Sequence, residues 1–266
     1  MMNPSESSEP LNAVETEQSQ LSRRDFLKLA STGIGSIFVG ASGLGQVANA
    51  LSPVVENPNG KQASALKRNL DITPMRFEKL HNGIEGLSAK QIQAHLKLYE
   101  GYVKKYQQIR EKLQAFTPEA LQDVNTTYHS FRELLVEESF ALNGVILHEE
   151  YFSALTPNPT PMSAYCQKLL TQHFGSLEAF KAQLIAAAKS MRGWAILGYN
   201  TRYKHLGFYG MDTHNTYSPM TVQAVLVIDV YEHAYMIDYG TDRPSYLNTL
   251  WQQIDWTILE ARLSFV

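Results

Sequence analysis

Cysteine is almost missing from this 266-residue chain. Cys166 stands alone, so neither an intrachain disulfide nor a cysteine-based zinc site can be built. Clusters of Lys and Arg are missing too, and the formal charge is −3. Phosphate binding needs clustered cations, so nucleic acid is excluded as the main partner. Core-forming side chains are scarce in the first twenty or so residues, which are rich in Ser, Glu and Gln; that composition predicts disorder. A long hydrophobic run is also lacking. The weakly apolar stretch Leu29–Gln46 is short and holds five glycines, so no permanent membrane span is expected. What is present is a globular composition, 44% hydrophobic with 14 Tyr and 11 Phe, enough for one or two domains with an apolar core. Eight histidines are the main candidates for metal chemistry.

The N-terminal segment reads as an address. Ser22–Lys28 is SRRDFLK, a weakly apolar stretch follows, and Ala48-Asn49-Ala50 closes it as an A-x-A cleavage site. SRRDFLK resembles the full twin-arginine export pattern rather than an isolated Arg pair. The resemblance implies passage through the twin-arginine machinery as a folded protein, and a periplasmic or otherwise exported location. Residues 1–50 are expected as signal peptide, with cleavage after Ala50, and residues 51–74 as a Pro/Asn/Lys-rich lead-in.

Two long helical patterns come next. Ser88 with Gln91 forms a capping-box start. The stripe Ile92, His95, Tyr99, Tyr102, Tyr106, Ile109, Leu113 then alternates threes and fours, the spacing of a helix packed along another helix. After a Thr117-Pro118 turn, a second stripe reads Phe131, Leu134, Glu138, Ala141, Val145, His148, Phe152. A short polar connection between them predicts an antiparallel hairpin that buries one histidine on each seam. A buried neutral imidazole needs a partner, and Glu138 on the same stripe is a candidate for one of them.

Beyond Pro157-Asn158-Pro159 the pattern changes to SAYCQKLLTQHF and LEAFKAQLIAAAKS, helices divided by Gly175-Ser176. Strand-like runs WAILGYN, HLGFYGM and AVLVIDV follow, then short helices near Pro244 and Trp256. Helical pairs followed by clustered strands read as an α+β fold. The last strand runs into DVYEHAY. Asp229 follows a buried β-branched run, so its carboxylate requires a partner, and His233 lies four residues on. Taken alone, the two are a strand-end hydrogen bond as readily as half of a metal site. Together with His95 and His148 they make a three-histidine, one-aspartate donor set, suited to iron, manganese or zinc; the lack of thiolate disfavours softer metals.

At these residues the chain resembles the iron/manganese superoxide dismutases, over about residues 75–266. LSAKQIQAHLKLYEGYV resembles the family's first-ligand helix, ALNGVILHEEYF its second, and IDVYEHAY its D-V-W-E-H-A-Y signature; RPSYL and the Trp251 region resemble its C-terminal segment. The resemblance implies a helical-hairpin domain over 75–156 and an α/β domain over 157–266 with a three-stranded antiparallel sheet. It implies one Fe or Mn ion per subunit, held between them by His95, His148, Asp229 and His233. The ion would cycle between +3 and +2 while superoxide is converted to O2 and H2O2. Tyr102 would be the gateway tyrosine. His214 would hydrogen-bond the metal-bound solvent, since the alternative helix position is Gly144. Glu232 would bridge to the opposing ligand histidine in a homodimer.

Departures from the family pattern also stand out. Tyr231 replaces the signature tryptophan, Phe152 follows the second-ligand region, and Trp194 alone remains of the tryptophan cage. Tyr99 and Glu100 stand where a His pair is usual, and Met236 replaces the second signature tyrosine. These changes keep open a periplasmic metal-binding relative with lost or altered turnover. A 2-His-1-carboxylate oxygenase fits less well, because that triad leaves a fourth buried donor without a role.

Overall fold

The computed structural model describes residues 72–217 and 219–264. The expected export signal, its expected cleavage site and the lead-in as far as residue 71 lie outside the described residues. The described part is a mixed helix-and-sheet fold, as the alternation of patterns leads one to expect.

A minimal hairpin opens it. β1 (Gly83–Ile84) pairs antiparallel with β2 (Leu87–Ser88), and Gly86 turns the chain at φ +76, where a Cβ would collide with Thr249. Ser88 then caps α1 (Ala89–Gln114), its hydroxyl accepting from the Gln91 N–H at 3.1 Å. α2 (Ser130–Ser153) packs along α1, its first turn capped by the His129 ring. The buried residues of the two helices include Ile92, His95, Tyr99, Tyr106, Ala141, Val145, His148 and Phe152 of the three-four stripes read above, and also Val103, while Tyr102 is half-buried.

Two details of the hairpin differ from expectation. The connection runs from 115 to 129 and includes a 3-10 turn at Glu119–Leu121, so it is not short. Glu138 pairs with Arg110 at 2.7 Å instead of serving a histidine; it lies three turns from His148, beyond the reach of its side chain along that helix.

The rest begins with α3 (Ala164–Phe174) and α4 (Leu177–Ser190). Gly175 at φ +88 ends the first, and Ser176 caps the second through the Ala179 N–H. Three antiparallel strands follow: β3 (Trp194–Asn200), β4 (His205–Met211) and β5 (Val222–Asp229), in the order β4-β3-β5. β5 is an edge strand by pairing, yet residues 225–229 are buried because α2 and the C-terminal helices cover it. α5 (Met236–Tyr239), α6 (Arg243–Gln252) and α7 (Trp256–Leu263) complete the fold. Among the described residues no helix is long and apolar enough to cross a membrane.

Candidate metal centre

The packing of α2 on α1 and on the end of β5 brings four donors to one point. His95 comes from α1, His148 from α2, Asp229 is the last residue of β5, and His233 lies in the 3-10 turn Glu232–Ala234. Their donor atoms all lie within 4.8 Å of one another. His95 Nε2, His233 Nε2 and His148 Nε2 approach Asp229 Oδ2 at 3.0, 3.3 and 3.7 Å. His95, His148 and Asp229 are completely buried, and His233 keeps some exposure.

The hydrogen bonds around the four show which atoms are free. His148 Nδ1 donates to the Gly144 carbonyl at 2.5 Å, which leaves Nε2 as a lone-pair donor. Among the described residues that Nε2, like the Nε2 of His95, is buried and has no well-aligned hydrogen bond, although both face Asp229 Oδ2. Orphaned imidazole nitrogens in an interior are costly unless something coordinates them. Asp229 Oδ1 accepts from the Tyr231 N–H at 2.9 Å, so its orientation is fixed while Oδ2 faces the histidines.

The electrostatics agree. Burial depresses His95 against the pull of Asp229, and burial together with His95 takes His148 down to about 3. Both imidazoles are therefore neutral and able to ligate at neutral pH. Burial works to raise the Asp229 carboxyl, but the imidazoles of His233 and His95 outweigh it and hold Asp229 well below the usual carboxylate range. Three nitrogen donors, one carboxylate and no thiolate fit a first-row metal such as iron or manganese.

The family model for the iron/manganese superoxide dismutases, C-terminal domain, matches residues 162–262. Over 181 residues the chain is 40% identical to an iron superoxide dismutase of Aquifex pyrophilus, an alignment spanning 67% of this chain and 85% of that protein. The chain belongs to the iron/manganese superoxide dismutase family. It is an enzyme of this type. Other relatives are an iron superoxide dismutase of Pyrobaculum aerophilum, 34% identical across 69% of this chain and 87% of the other. A manganese/iron superoxide dismutase of Aeropyrum pernix is 29% identical, across 74% and 91%.

Around this dismutase centre the other sequence-derived residues take definite places. Phe152 packs its ring 4.7 Å from His95, Trp194 stands 5.0 Å from His148, and Tyr231 stacks on His233 at 5.0 Å and 16°. Tyr231, its hydroxyl reaching toward the Asp212 carbonyl, is pushed up to about 12, chiefly by burial. Tyr102 is half-buried, its ring 5.4 Å from His148 and 4.7 Å from His214. Gly144 makes that position possible, since a Cβ there would sit 2.9 Å from the Tyr102 ring. His214 is buried, and Trp194 Nε1–H donates to its Nδ1 at 2.9 Å. An indole N–H can only donate, so the His214 proton sits on Nε2. Burial lowers the His214 pKa to about 4 and keeps the ring neutral. Glu232, by contrast, is exposed.

Two residues near the centre escaped the reading of the sequence, and a third was read with a different partner. Tyr246 O–H donates to the Asp229 carbonyl at 2.8 Å, and the Tyr151 hydroxyl lies 3.1 Å from the Tyr246 hydroxyl. Both phenols are buried and raised by desolvation. Tyr151 was findable as the i+3 neighbour of His148, but nothing in the sequence placed Tyr246 beneath Asp229. The third is Gln91, expected to reach back to the Ser88 N–H. That N–H is instead taken by Asp238 Oδ2 at 2.7 Å, and the Gln91 carboxamide turns to the His233 loop.

Proposed function

We propose that this protein is a superoxide dismutase that holds one Fe or Mn ion per subunit through His95, His148, Asp229 and His233. The observation that supports it is the convergence of those four donors with two buried imidazole nitrogens left without a well-aligned hydrogen bond. When bound, the ion would supply one-electron chemistry between +3 and +2, so that two superoxide ions and two protons give O2 and H2O2.

The chain's own side chains do the rest. Phe152, Trp194 and Tyr231 exclude bulk water from three sides of the donors. His214 presents an Nε2–H donor whose tautomer is fixed by Trp194, so it would hydrogen-bond the metal-bound solvent and help set the potential. Tyr102 stands beside His214, its phenol proton retained mainly through burial and secondly through Asp229, and serves as gateway and relay. The helical hairpin of residues 75–156 contributes two donors, and residues 157–266 the other two, which is the division we assign to its domains. Glu232 is the bridge to a second subunit in a homodimer. SRRDFLK supports delivery through the twin-arginine pathway to the periplasm, where the substrate is extracytoplasmic superoxide.

The deciding experiment measures metal content and superoxide turnover on the same natively exported protein. Stoichiometric iron or manganese with dismutation is expected. A full metal load without turnover would overturn the enzymatic reading. Replacing Arg23 and Arg24 by Lys should trap the protein in the cytoplasm; unchanged fractionation would remove the export assignment.

A further inference from the structure

His233 is the least supported of the four donors. It sits in a single 3-10 turn and keeps 29% side-chain exposure, whereas the other three are buried on long elements. One residue ties that turn to the helix of another ligand. Gln91 is 1% exposed, in the first turn of α1 and one turn before His95. Its Nε2–H donates to the His233 carbonyl at 2.6 Å, and its Oε1 accepts from the Ile237 N–H at 3.0 Å.

The geometry points to Gln91 as a positioning residue for the metal centre, one that locks the His233 turn against the His95 helix. This inference rests on the four-donor reading above.

The physical reason lies in what the first turn of a helix ordinarily does. In a capping box the Gln at this place bonds the N–H of the capping residue. Here Asp238 supplies both groups that Ser88 needs, Oδ2 for the N–H and Oδ1 for the hydroxyl, each at 2.7 Å. Gln91 is thereby freed, and its carboxamide can give one hydrogen bond from nitrogen and take another on oxygen at once. Both of its bonds go to the main chain of the segment that follows Asp229. A shift of the His233 carbonyl would break the first, and a shift of Ile237 the second. The rings of His95 and His233, 4.9 Å apart, are held in register from the backbone side, opposite the donor atoms. The Ser88 hydroxyl caps the same helix start without touching the His233 main chain, and its loss leaves the Ser88 N–H on Asp238, so it provides an internal comparison.

The test uses the iron-loaded full protein and three variants. Gln91→Glu keeps the size and the acceptor but loses the donor; Gln91→Met loses both; Ser88→Ala removes only the cap hydroxyl and leaves the Ser88 N–H on Asp238. Iron transfer to a chelator, the EPR line shape of ferric iron and Tm are measured on each. For both Gln91 variants we expect iron to leave roughly 10–100-fold faster, the range found when groups that orient metal ligands are lost. Their ferric line shape should change as well. Ser88→Ala should lower Tm through the lost cap yet keep the wild-type release rate and line shape. Wild-type release and line shape in Gln91→Glu would overturn the inference, as would release that follows Tm across all three variants. Should Gln91→Met fail to fold, the near-isosteric Glu variant decides alone. Absence of iron from the wild type would count against the four-donor reading instead, so the two failures are distinguishable.

Discussion

Replacing His214 with Ala takes away an Nε2–H donor without touching any of the four donors, so its effects separate tuning from binding. Metal content should stay near wild type while the potential shifts and turnover falls by about 10-fold or more, the effect of losing an outer-sphere hydrogen bond to the centre. Unchanged activity would remove His214 from the site. Gly144→Ala acts from the other side of Tyr102. The new Cβ would meet the ring at 2.9 Å, and since that contact is with ring carbons near the main chain, Tyr102 itself must move. Turnover should drop with metal retained, and a wild-type rate would show that the gateway tolerates the shift. The same small group of residues sets the acid response. His148 stands near 3 and His214 near 4 in the fold, against about 6.5 for an unfolded histidine. The unfolded chain therefore binds more protons between those limits. Metal-free protein should lose stability as pH falls from 6.5 toward 4, and Asp229, held low, adds a further loss below its ordinary value near 3.8. A Tm that stays flat across that interval would contradict the burial of neutral imidazoles.

At the scale of elements, the question is what keeps α2 and β5 aligned so that their donors meet. Arg262 on α7 spans both, donating to the Val225 carbonyl of β5 at 3.0 Å and to the Glu150 carbonyl and carboxylate of α2. Burial raises Glu150 and lowers Arg262, so desolvation is the leading effect on each and their attraction offsets only part of it. Arg262→Ala should accordingly cost about 2–3 kcal/mol, because it strands a half-buried carboxylate and a strand carbonyl. Urea unfolding of the metal-free protein measures this, and a loss below about 0.5 kcal/mol would mean water replaces the guanidinium freely. The helices themselves were legible in the sequence. The three-four spacing of His95, Tyr99, Tyr102 and Tyr106, and of Val145, His148 and Phe152, has a local cause that periodicity reports. Their connection was less so, since a polar segment from 115 to 129 has no period that marks its length. Capping at Ser88 was read correctly, whereas the partner of Gln91 was not. A capping box is a local motif, and Asp238 interrupts it from 150 residues away.

For the whole molecule, the outward face of the signature segment carries the next prediction. Glu232 lies between the two signature donors and Met236 and Ile237 follow them, and all three are exposed in the single chain. If Glu232 bridges to a second subunit, Glu232→Ala should shift sedimentation from dimer toward monomer. An intact dimer would count against the bridge. Sequence by itself determined which residues could ligate, because donor chemistry belongs to residue type, and it determined the helices and strands that hold them, because amphipathic period belongs to neighbours in the chain. Tertiary structure alone decided the rest. It took Glu138 to Arg110, set Tyr246 beneath the Asp229 carbonyl, and turned Gln91 from its own helix to the His233 loop. Those pairings join residues far apart in the chain. No local rule encodes them, and they form only when packing has already brought the ends of α1, α2 and β5 to one point.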